Sequence, residues 1–375
     1  MTTERCDVLI VGGGPAGSSC AYGLRDAGLE VVVLDRARFP RDKVCAGWVT
    51  PPVLEALSVD PTDYAKDRVL QPIRGFRVGR EGDASAVASR SEVVSWGIRR
   101  CEFDHYLLAR SGARLRLGEP VRSLETGAGG FVINGISARV LVGAGGHFCP
   151  VARFAGARPG AGEPAIVARE IEFRLDPAQQ EECPTLPELP ELLFSRDLEG
   201  YGWIVRKGEY LNVGLGRQDP RAFPAEVEGF LDRLERGGRL PPRCPRRLVG
   251  HAYLLYDRTP RRLCAERLLL VGDAAGLAYP KSGEGIRPAV ESGLLAARAI
   301  RDEAGRSAAV LSRAYSISVE KRLGAGRGRP GRGLTDLLPR SVRGPVAGRA
   351  LGSRWFASRV VVDGWFLHRS QPRLG

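Results

Sequence analysis

Residues 8–11 form an unbroken apolar run that ends on three glycines, the pattern of a buried parallel strand. Residues 15–26 then read as a helix with small side chains on one side, Gly28 ends the segment, and Glu30 to Leu34 form a second buried strand closing on Asp35. Strand, turn, helix and strand in this order make a βαβ unit. From Pro72 to Arg99 the polarity alternates instead, predicting strands at 73–78, 84–88 and 93–98. A helix is predicted over 100–110, and short strands punctuated by glycine over 113–142. Strand-like segments recur from 166 to 255 around a proline-rich stretch at 183–190. Residues 268–271 read as another buried strand and 287–303 as a helix.

Parallel elements at both ends enclosing an antiparallel middle predict an α/β fold with an α+β insert. We expect a Rossmann-like nucleotide-binding domain built from 1–71, 96–156 and 257–306. An inserted antiparallel-sheet substrate domain takes 72–95 and 157–256, and a C-terminal helical segment takes 307–375. The length of 375 residues is enough for two or three such bodies.

Composition changes this picture little: 43% hydrophobic and 26% charged residues are ordinary for a soluble globular chain. Charge changes it more. The net +13 is concentrated between Lys321 and Arg359, where ten basic residues are opposed by Asp336 alone. Such a run, within 321–369, is a candidate for peripheral membrane contact or an acidic partner. Trp355, Phe356, Trp365 and Phe366 stand among its arginines, and the alternative is a helical cap docking these aromatics on the body. No nucleic-acid module is recognisable, so nucleic acid is not an expected partner. Eight scattered cysteines without a CxxC pair, and four histidines, argue against a metal site. The first strand starts at once, with no signal-peptide pattern before it, and no apolar run reaches the ~20 residues of a membrane helix. A cytoplasmic location, with or without contact to the membrane surface, is expected.

Gly12-Gly13-Gly14-Pro15-Ala16-Gly17 fits G-x-G-x-x-G. Gly12 permits the tight turn, Gly14 lets a pyrophosphate approach the backbone, and Gly17 lets helix and strand pack closely. Pro15 and Ala16 open a helix whose free N–H groups and positive end suit phosphate. With 48 glycines in 375 residues this spacing arises by chance about 0.8 times, so context must decide. Gly326, Gly328 and Gly331 match it too, but no strand precedes them. The first match has both the strand and, about 20 residues on, Asp35 followed by Arg36, where a carboxylate can accept from ribose hydroxyls.

Further motifs resemble those of FAD-dependent hydroxylases and reductases. Arg267-Leu268-Leu269-Leu270-Val271-Gly272-Asp273-Ala274-Ala275 resembles their second FAD fingerprint, which implies that Gly272 and Asp273 meet the ribityl or pyrophosphate region. Pro280-Lys281-Ser282-Gly283-Glu284-Gly285-Ile286 resembles P-x-x-G-E-G-I, whose backbone N–H groups face the isoalloxazine. A helix start there suits an anionic reduced flavin. Arg100-Cys101-Glu102-Phe103-Asp104 resembles R-x-x-F-D, which implies that Arg100 contacts FAD while Asp104 caps or orients.

Two stretches resemble the geranylgeranyl-reductase family of FAD-dependent oxidoreductases, on the p-hydroxybenzoate-hydroxylase-like fold. Lys43-Val44-Cys45-Ala46-Gly47-Trp48 looks like K-x-C-G-G, implying Cys45, Ala46 and Gly47 beside the flavin. Gly200-Tyr201-Gly202-Trp203-Ile204-Val205-Arg206-Lys207 resembles Y-x-W-x-F-P with the Phe-Pro pair replaced, and Asn212-Val213-Gly214-Leu215-Gly216 follows as in the family. Period-two spacing puts Tyr201 and Trp203 on one strand face as an aromatic wall. Cys45, Tyr201 and Trp203 are the candidate catalytic residues. In the stretch 143–153, Gly145 and Cys149 replace the aspartate and serine of G-A-D-G-x-x-S. The electron donor is therefore left open between NAD(P)H and a separate reductase or ferredoxin.

The resemblance implies an oxidoreductase with FAD that reduces carbon–carbon double bonds of a prenyl lipid or other apolar substrate. A flavin-dependent monooxygenase, and after it a halogenase, acting on a small or carrier-bound aromatic is the alternative.

Overall fold

In the computed structural model the described residues are 4–127, 129–160, 162–218, 223–302, 307–324 and 340–374, with side chains 224 and 340–344 also left aside. The glycine match at 326–331 and, of the basic run, Arg327, Arg329 and Arg332 lie outside the described residues. The chain forms two compact units, one of residues 1–42, 101–165 and 253–331, the other of residues 43–100, 166–252 and 332–375.

The first unit is built on strand Glu4–Val11, whose apolar run is buried on both sides. It pairs in parallel with Ile136–Gly143 on one edge and Val31–Asp35 on the other. Arg114–Leu117 continues the parallel sheet beyond Val31–Asp35, and Leu268–Leu270 continues it beyond Ile136–Gly143. Cys264–Ala265 closes that edge antiparallel. Leu9, Ile10, Val33, Leu34, Leu141, Val142 and Leu269 are fully buried. Each such aliphatic side chain contributes about 1.5–3 kcal/mol relative to exposure.

Helix Pro15–Leu24 crosses from the first strand to Val31–Asp35 and packs on helix Ile286–Asp302. Small residues make that contact close. A Cβ on Gly293 would lie 2.2 Å from the Ala16 carbonyl oxygen, and one on Gly23 2.7 Å from Ala297 Cβ. The two helices thereby bring the first glycine motif and the late fingerprint, some 260 residues apart, into one cradle.

The second unit holds a seven-stranded sheet in the order Val249–Tyr253, Ile166–Arg174, Tyr210–Arg217, Gly200–Lys207, Glu191–Phe194, Gly75–Arg80, Ala86–Ser89. From Ile166–Arg174 to Ala86–Ser89 its pairings are antiparallel apart from Glu191–Phe194 with Gly75–Arg80. A smaller antiparallel sheet joins Trp48–Val49, Ser95–Ile98 and Leu70–Ile73.

The two faces of the large sheet differ in chemistry. Ile204, Leu211, Val213 and Leu215 pack against helix Phe223–Arg236. That helix carries Phe223, Val227, Phe230, Leu231 and Leu234 as an apolar stripe at helical spacing. The opposite face carries Glu170, Glu172, Tyr201, Trp203, Lys207, Asn212 and Gly214, which alternation places together.

The C-terminal chain packs on this unit through the π-helix Ala357–Phe366. Phe366 is fully buried, its ring 6.0 Å from Trp48 and 5.5 Å from Tyr201, centroid to centroid. Arg90 donates to Ser358 Oγ at 2.7 Å and to Asp363 Oδ2 at 2.9 Å, fixing the helix. Of the aromatics expected in a cap, Trp365 lies 6.1 Å from Phe194, while Trp355 is 69% exposed. No helix among the described residues is long and apolar enough to cross a membrane.

Candidate active site

The glycine turn sits where the first strand meets its neighbours. Gly12 has φ +114°, and a Cβ on it would stand 2.4 Å from the Ala144 carbonyl oxygen, so no other residue fits. Gly17 is tighter still, with a Cβ position 1.9 Å from the Gly12 carbonyl oxygen. Gly14 caps helix Pro15–Leu24 with no side chain bonded to the first-turn N–H groups. Those donors are the ones that phosphate takes at helix starts.

Asp35 ends its strand beside this turn. Its Oδ2 accepts from Gly13 N at 2.7 Å and its Oδ1 from Ala37 N at 2.8 Å, so the carboxylate is oriented by backbone on both sides of Arg36. Arg41 reaches the same place: its Nη2 lies 3.4 Å from the Cβ position of Gly14 and 3.1 Å from the Asp104 carboxylate. Asp104 is fully buried and holds the guanidinium in place. Arg41 Nη1 is buried with no hydrogen-bond partner, on a guanidinium whose Nη2 borders Gly14. An anionic dinucleotide phosphate matches this cation and the open helix N-terminus in charge, so the residues present fit FAD.

The late fingerprint lies against the same helix. Gly272 N donates to Ser292 Oγ at 2.9 Å, and a Cβ on Gly272 would meet Ala16 Cβ at 3.1 Å. Asp273 Oδ1 stands 3.2 Å from the Cβ position of Gly285, so Asp273 borders the Pro280–Ile286 turn. Gly283, at φ +68°, has Tyr253 Oη 2.4 Å from its Cβ position. Glu284 is buried, and burial pushes its carboxyl up to about 8 despite the Arg287 charge. Ile286 opens the long helix whose N-terminus this turn presents. Gly145 carries Cys149 Sγ 3.2 Å from its Cβ position, so the sulfur occupies the space a longer residue at 145 would need. Arg261, fully buried as a side chain, bonds Glu163 at 2.7 Å and the Asp273 and Ala274 carbonyls at 3.3 and 3.2 Å.

In the second unit, Cys45, Ala46 and Gly47 lie over the polar face of the large sheet. Glu170 accepts the Cys45 N–H and Asn212 Nδ2 donates to the Cys45 carbonyl at 3.2 Å. Lys207 Nζ, fully buried, donates to the Ala46 and Ile98 carbonyls at 3.1 Å each and to Glu172. Gly47 is obligatory: at φ +72°, its Cβ position lies 2.6 Å from Lys207 Nζ. The three residues of the Cys45 turn are thus clamped by a network of buried charges.

Asn212 Oδ1 also accepts from Trp203 Nε1 at 2.7 Å, tying the aromatic wall to the same network. The Tyr201 and Trp203 rings stand 6.0 Å apart, Tyr201 lies 5.8 Å from Phe194, and Trp48 stacks edge-on to Phe76 at 5.9 Å. Arg100 opens helix Arg100–Ala109 and is nearly buried. No cluster that could hold a metal ion occurs among the described residues.

Sequence reasoning missed Arg41, Glu170, Glu172 and the role of Lys207. The period-two rule that paired Tyr201 with Trp203 also puts Glu170 and Glu172 on one face, and two acids two positions apart in a strand were the available signal.

Comparison with known proteins agrees with this arrangement. Residues 7–88 match the family model for an FAD dependent oxidoreductase. A menaquinone reductase of Mycobacterium tuberculosis is 30% identical over 349 residues, spanning 85% of this chain and 83% of that one. The chain belongs to the geranylgeranyl-reductase family of FAD-dependent oxidoreductases. A digeranylgeranylglycerophospholipid reductase of Methanothrix thermoacetophila is 29% identical, over 80% of this chain and 78% of that one. Among solved structures, a geranylgeranyl bacteriochlorophyll reductase-like protein of Thermoplasma acidophilum superposes with TM-score 0.75 at 20% identity, covering 93% and 92% of the chains. A flavin-dependent brominase superposes with TM-score 0.66 at 19% identity, covering 85% and 84%. This family member is therefore an FAD-dependent oxidoreductase with a Rossmann-like domain, antiparallel sheets and C-terminal helices.

Proposed function

We propose that this protein reduces carbon–carbon double bonds in the prenyl chain of a lipid. The observation that carries the reading is the aromatic wall of the second unit. Phe194, Tyr201, Phe366 and Trp48 make successive ring contacts at 5.5–6.0 Å, and Trp203 joins at Tyr201. Such a surface suits an apolar chain. The names of its relatives describe reductases of lipids that carry prenyl chains.

Bound FAD supplies hydride once reduced. Gly12, Gly14, Pro15, Ala16 and Gly17 with Arg41 hold the pyrophosphate, Asp35 the ribose, and Gly272 with Asp273 the linking chain. Pro280, Gly283 and Glu284 shape the turn, and the backbone N–H groups of Gly285 and Ile286, at a helix start, would stabilise negative charge at the ring. By the family resemblance, Arg36, Arg100, Cys45, Ala46 and Gly47 would be cofactor contacts as well. Tyr201, Trp203 and Trp48 exclude water and orient the alkene. Electrons enter from a separate reductase or ferredoxin, or from NAD(P)H; Gly145 in place of the family aspartate favours the separate donor. A peripheral membrane contact through exposed Trp355 and Arg354 would give access to lipid.

The test is anaerobic mixing of chemically reduced holoenzyme with an unsaturated prenyl lipid. Flavin reoxidation with gain of two hydrogens per bond supports the reading. Oxygen-dependent hydroxylation or halogenation of an aromatic, with the prenyl lipid untouched, would establish the alternative.

A further inference from the structure

We infer that Arg261 is the positioning residue for the flavin-linking turn Gly272–Ala274, with Glu163 as its counter-ion. The inference rests on the reading that Gly272 and Asp273 hold the linking chain of FAD. Every residue it uses belongs to the first unit. The turn is a single short 3-10 segment, with few bonds of its own: Ala275 N donates to Gly272 O at 3.0 Å and Gly276 N to Asp273 O at 3.2 Å. Its carbonyls, and those just beyond it, are met from one neighbouring stretch, residues 256–261. Tyr256 N donates to the Ala278 carbonyl at 2.8 Å and Thr259 Oγ1 to that of Ala275 at 3.3 Å. Arg261 Nη1 donates to those of Asp273 and Ala274 at 3.3 and 3.2 Å. The fit is close, since Gly276, at φ +69°, has Thr259 Oγ1 2.3 Å from its Cβ position.

A peptide is planar, so holding its carbonyl fixes the N–H that shares the plane. Arg261 therefore sets the two peptides that follow Asp273, and with them the backbone on which the Asp273 side chain stands. Gly272 also abuts the first glycine motif, with Ala16 Cβ 3.1 Å from its Cβ position. A turn that shifted would disturb both fingerprints.

The cation is built in. The Arg261 side chain is fully buried and that of Glu163 is 4% exposed. They meet as a two-pronged pair, Nε to Oε1 at 3.0 Å and Nη2 to Oε2 at 2.7 Å. Burial pushes the Glu163 carboxyl up, but the bonds and charge of Arg261 outweigh it and hold the carboxyl below its ordinary value. Position 145, an aspartate in the family motif, is glycine here, and His147 meets Arg261 Nη2 through a ring nitrogen at 3.3 Å. The negative charge comes from Glu163, on the loop beyond. A buried ion pair stabilises a fold little more than apolar side chains of the same size. What it adds here is a rigid planar fork that grips a carboxylate on one side and peptide oxygens on the other, a geometry an ammonium does not match.

The experiment is fluorescence titration of the apoprotein with FAD for Arg261→Met, Asp273→Asn and the double variant. Arg261→Met should weaken FAD binding by about 10- to 100-fold. In the Asp273→Asn background the same change should cost at least about threefold less, because Arg261 acts through a contact already impaired; general loosening would instead multiply the two losses in full. Should the methionine variant not fold, the cycle is run with Arg261→Lys, which keeps the buried charge. That variant should fold and bind FAD about 3- to 30-fold more weakly, since one ammonium cannot serve the carboxylate and both carbonyls. Wild-type affinity in whichever Arg261 variant is cycled, or losses that multiply in full, overturns the assignment of Arg261. A lysine variant that does not fold either makes the role purely structural and overturns it too. Wild-type affinity in Asp273→Asn overturns the reading of the linking chain, and the inference with it.

Discussion

Lys207→Met removes the charge at the centre of the Cys45 clamp while keeping most of the side-chain volume. Three interactions go: two buried carbonyls, Ala46 and Ile98, lose their 3.1 Å donor, and Glu172 loses its ion pair. Orphaning a buried carbonyl costs about 1–3 kcal/mol, and breaking a buried ion pair from one side about 3–5 kcal/mol. Glu172 keeps Arg99 and is partly exposed, which trims the second figure. Two carbonyls and the trimmed ion pair together give about 4–9 kcal/mol, or about 8–36 °C in Tm for a unit of this size. Thermal unfolding of the holoenzyme by circular dichroism measures it. Peptide-resolved alkylation should show Cys45 reacting faster, because Ala46 and Gly47 are no longer anchored. The double variant Lys207→Met with Glu172→Gln removes both charges and should recover part of the loss, since the remaining partner is no longer a bare carboxylate. A single variant within about 3 °C of wild type, or a double variant worse than the two losses added, would refute the clamp.

Gly214→Ala places a methyl 2.3 Å from Trp203, so the indole must move and its bond to Asn212 must break. The expected cost is about 1–3 kcal/mol with a shifted tryptophan emission; unchanged emission and stability contradict it. Arg41→Met removes a charged donor from the glycine cradle. FAD dissociation from the apoprotein should weaken about 10- to 100-fold by fluorescence titration, the equivalent of about 1.5–3 kcal/mol. Glu170 contributes a stability term with a definite sign: its folded pKa of about 7 lies above its ordinary 4.5, so that term is present below pH 4.5 and lost as pH rises through 7. Glu170→Gln has no such loss, so its Tm should gain on wild type between pH 5 and pH 8 by the equivalent of about 3 kcal/mol, and a difference independent of pH refutes the raised carboxyl.

What could be read from the chain depended on how local the constraint is. The glycine turn is legible because a Cβ on Gly12 or Gly17 would stand 1.9–2.4 Å from a carbonyl oxygen, and that exclusion is written as glycine. Tyr201 and Trp203 are legible because alternation along one strand fixes which side chains share a face. The helix predicted over 287–303 runs Ile286–Asp302, its apolar spacing marking both ends to within a residue. Arg41 was not legible, since nothing local separates it from the other basic residues; its place is set by Asp104, sixty-three positions on. The bond from Cys45 to Glu170 spans 125 positions and rests on three strands aligning in register, which composition and spacing do not encode.

The two halves of the candidate site reach precision by opposite means. Around the dinucleotide cradle, side chains are removed: Gly12, Gly17, Gly272 and Gly293 let backbone meet backbone, and the positioning is steric. Steric positioning of this kind depends on main-chain geometry, so it survives wide sequence change, as the shared fold at 17–22% identity with flavin-dependent halogenases illustrates. Around Cys45, positioning is by polar bonds: Lys207, Asn212 and Glu170 hold peptide groups of the turn, and Glu172 holds Lys207. A buried network tolerates little change, because losing one member strands the rest. The chemistry that distinguishes this protein from others on its fold should therefore lie in residues 170, 172, 207 and 212, which pattern-matching on glycine-rich motifs passes over.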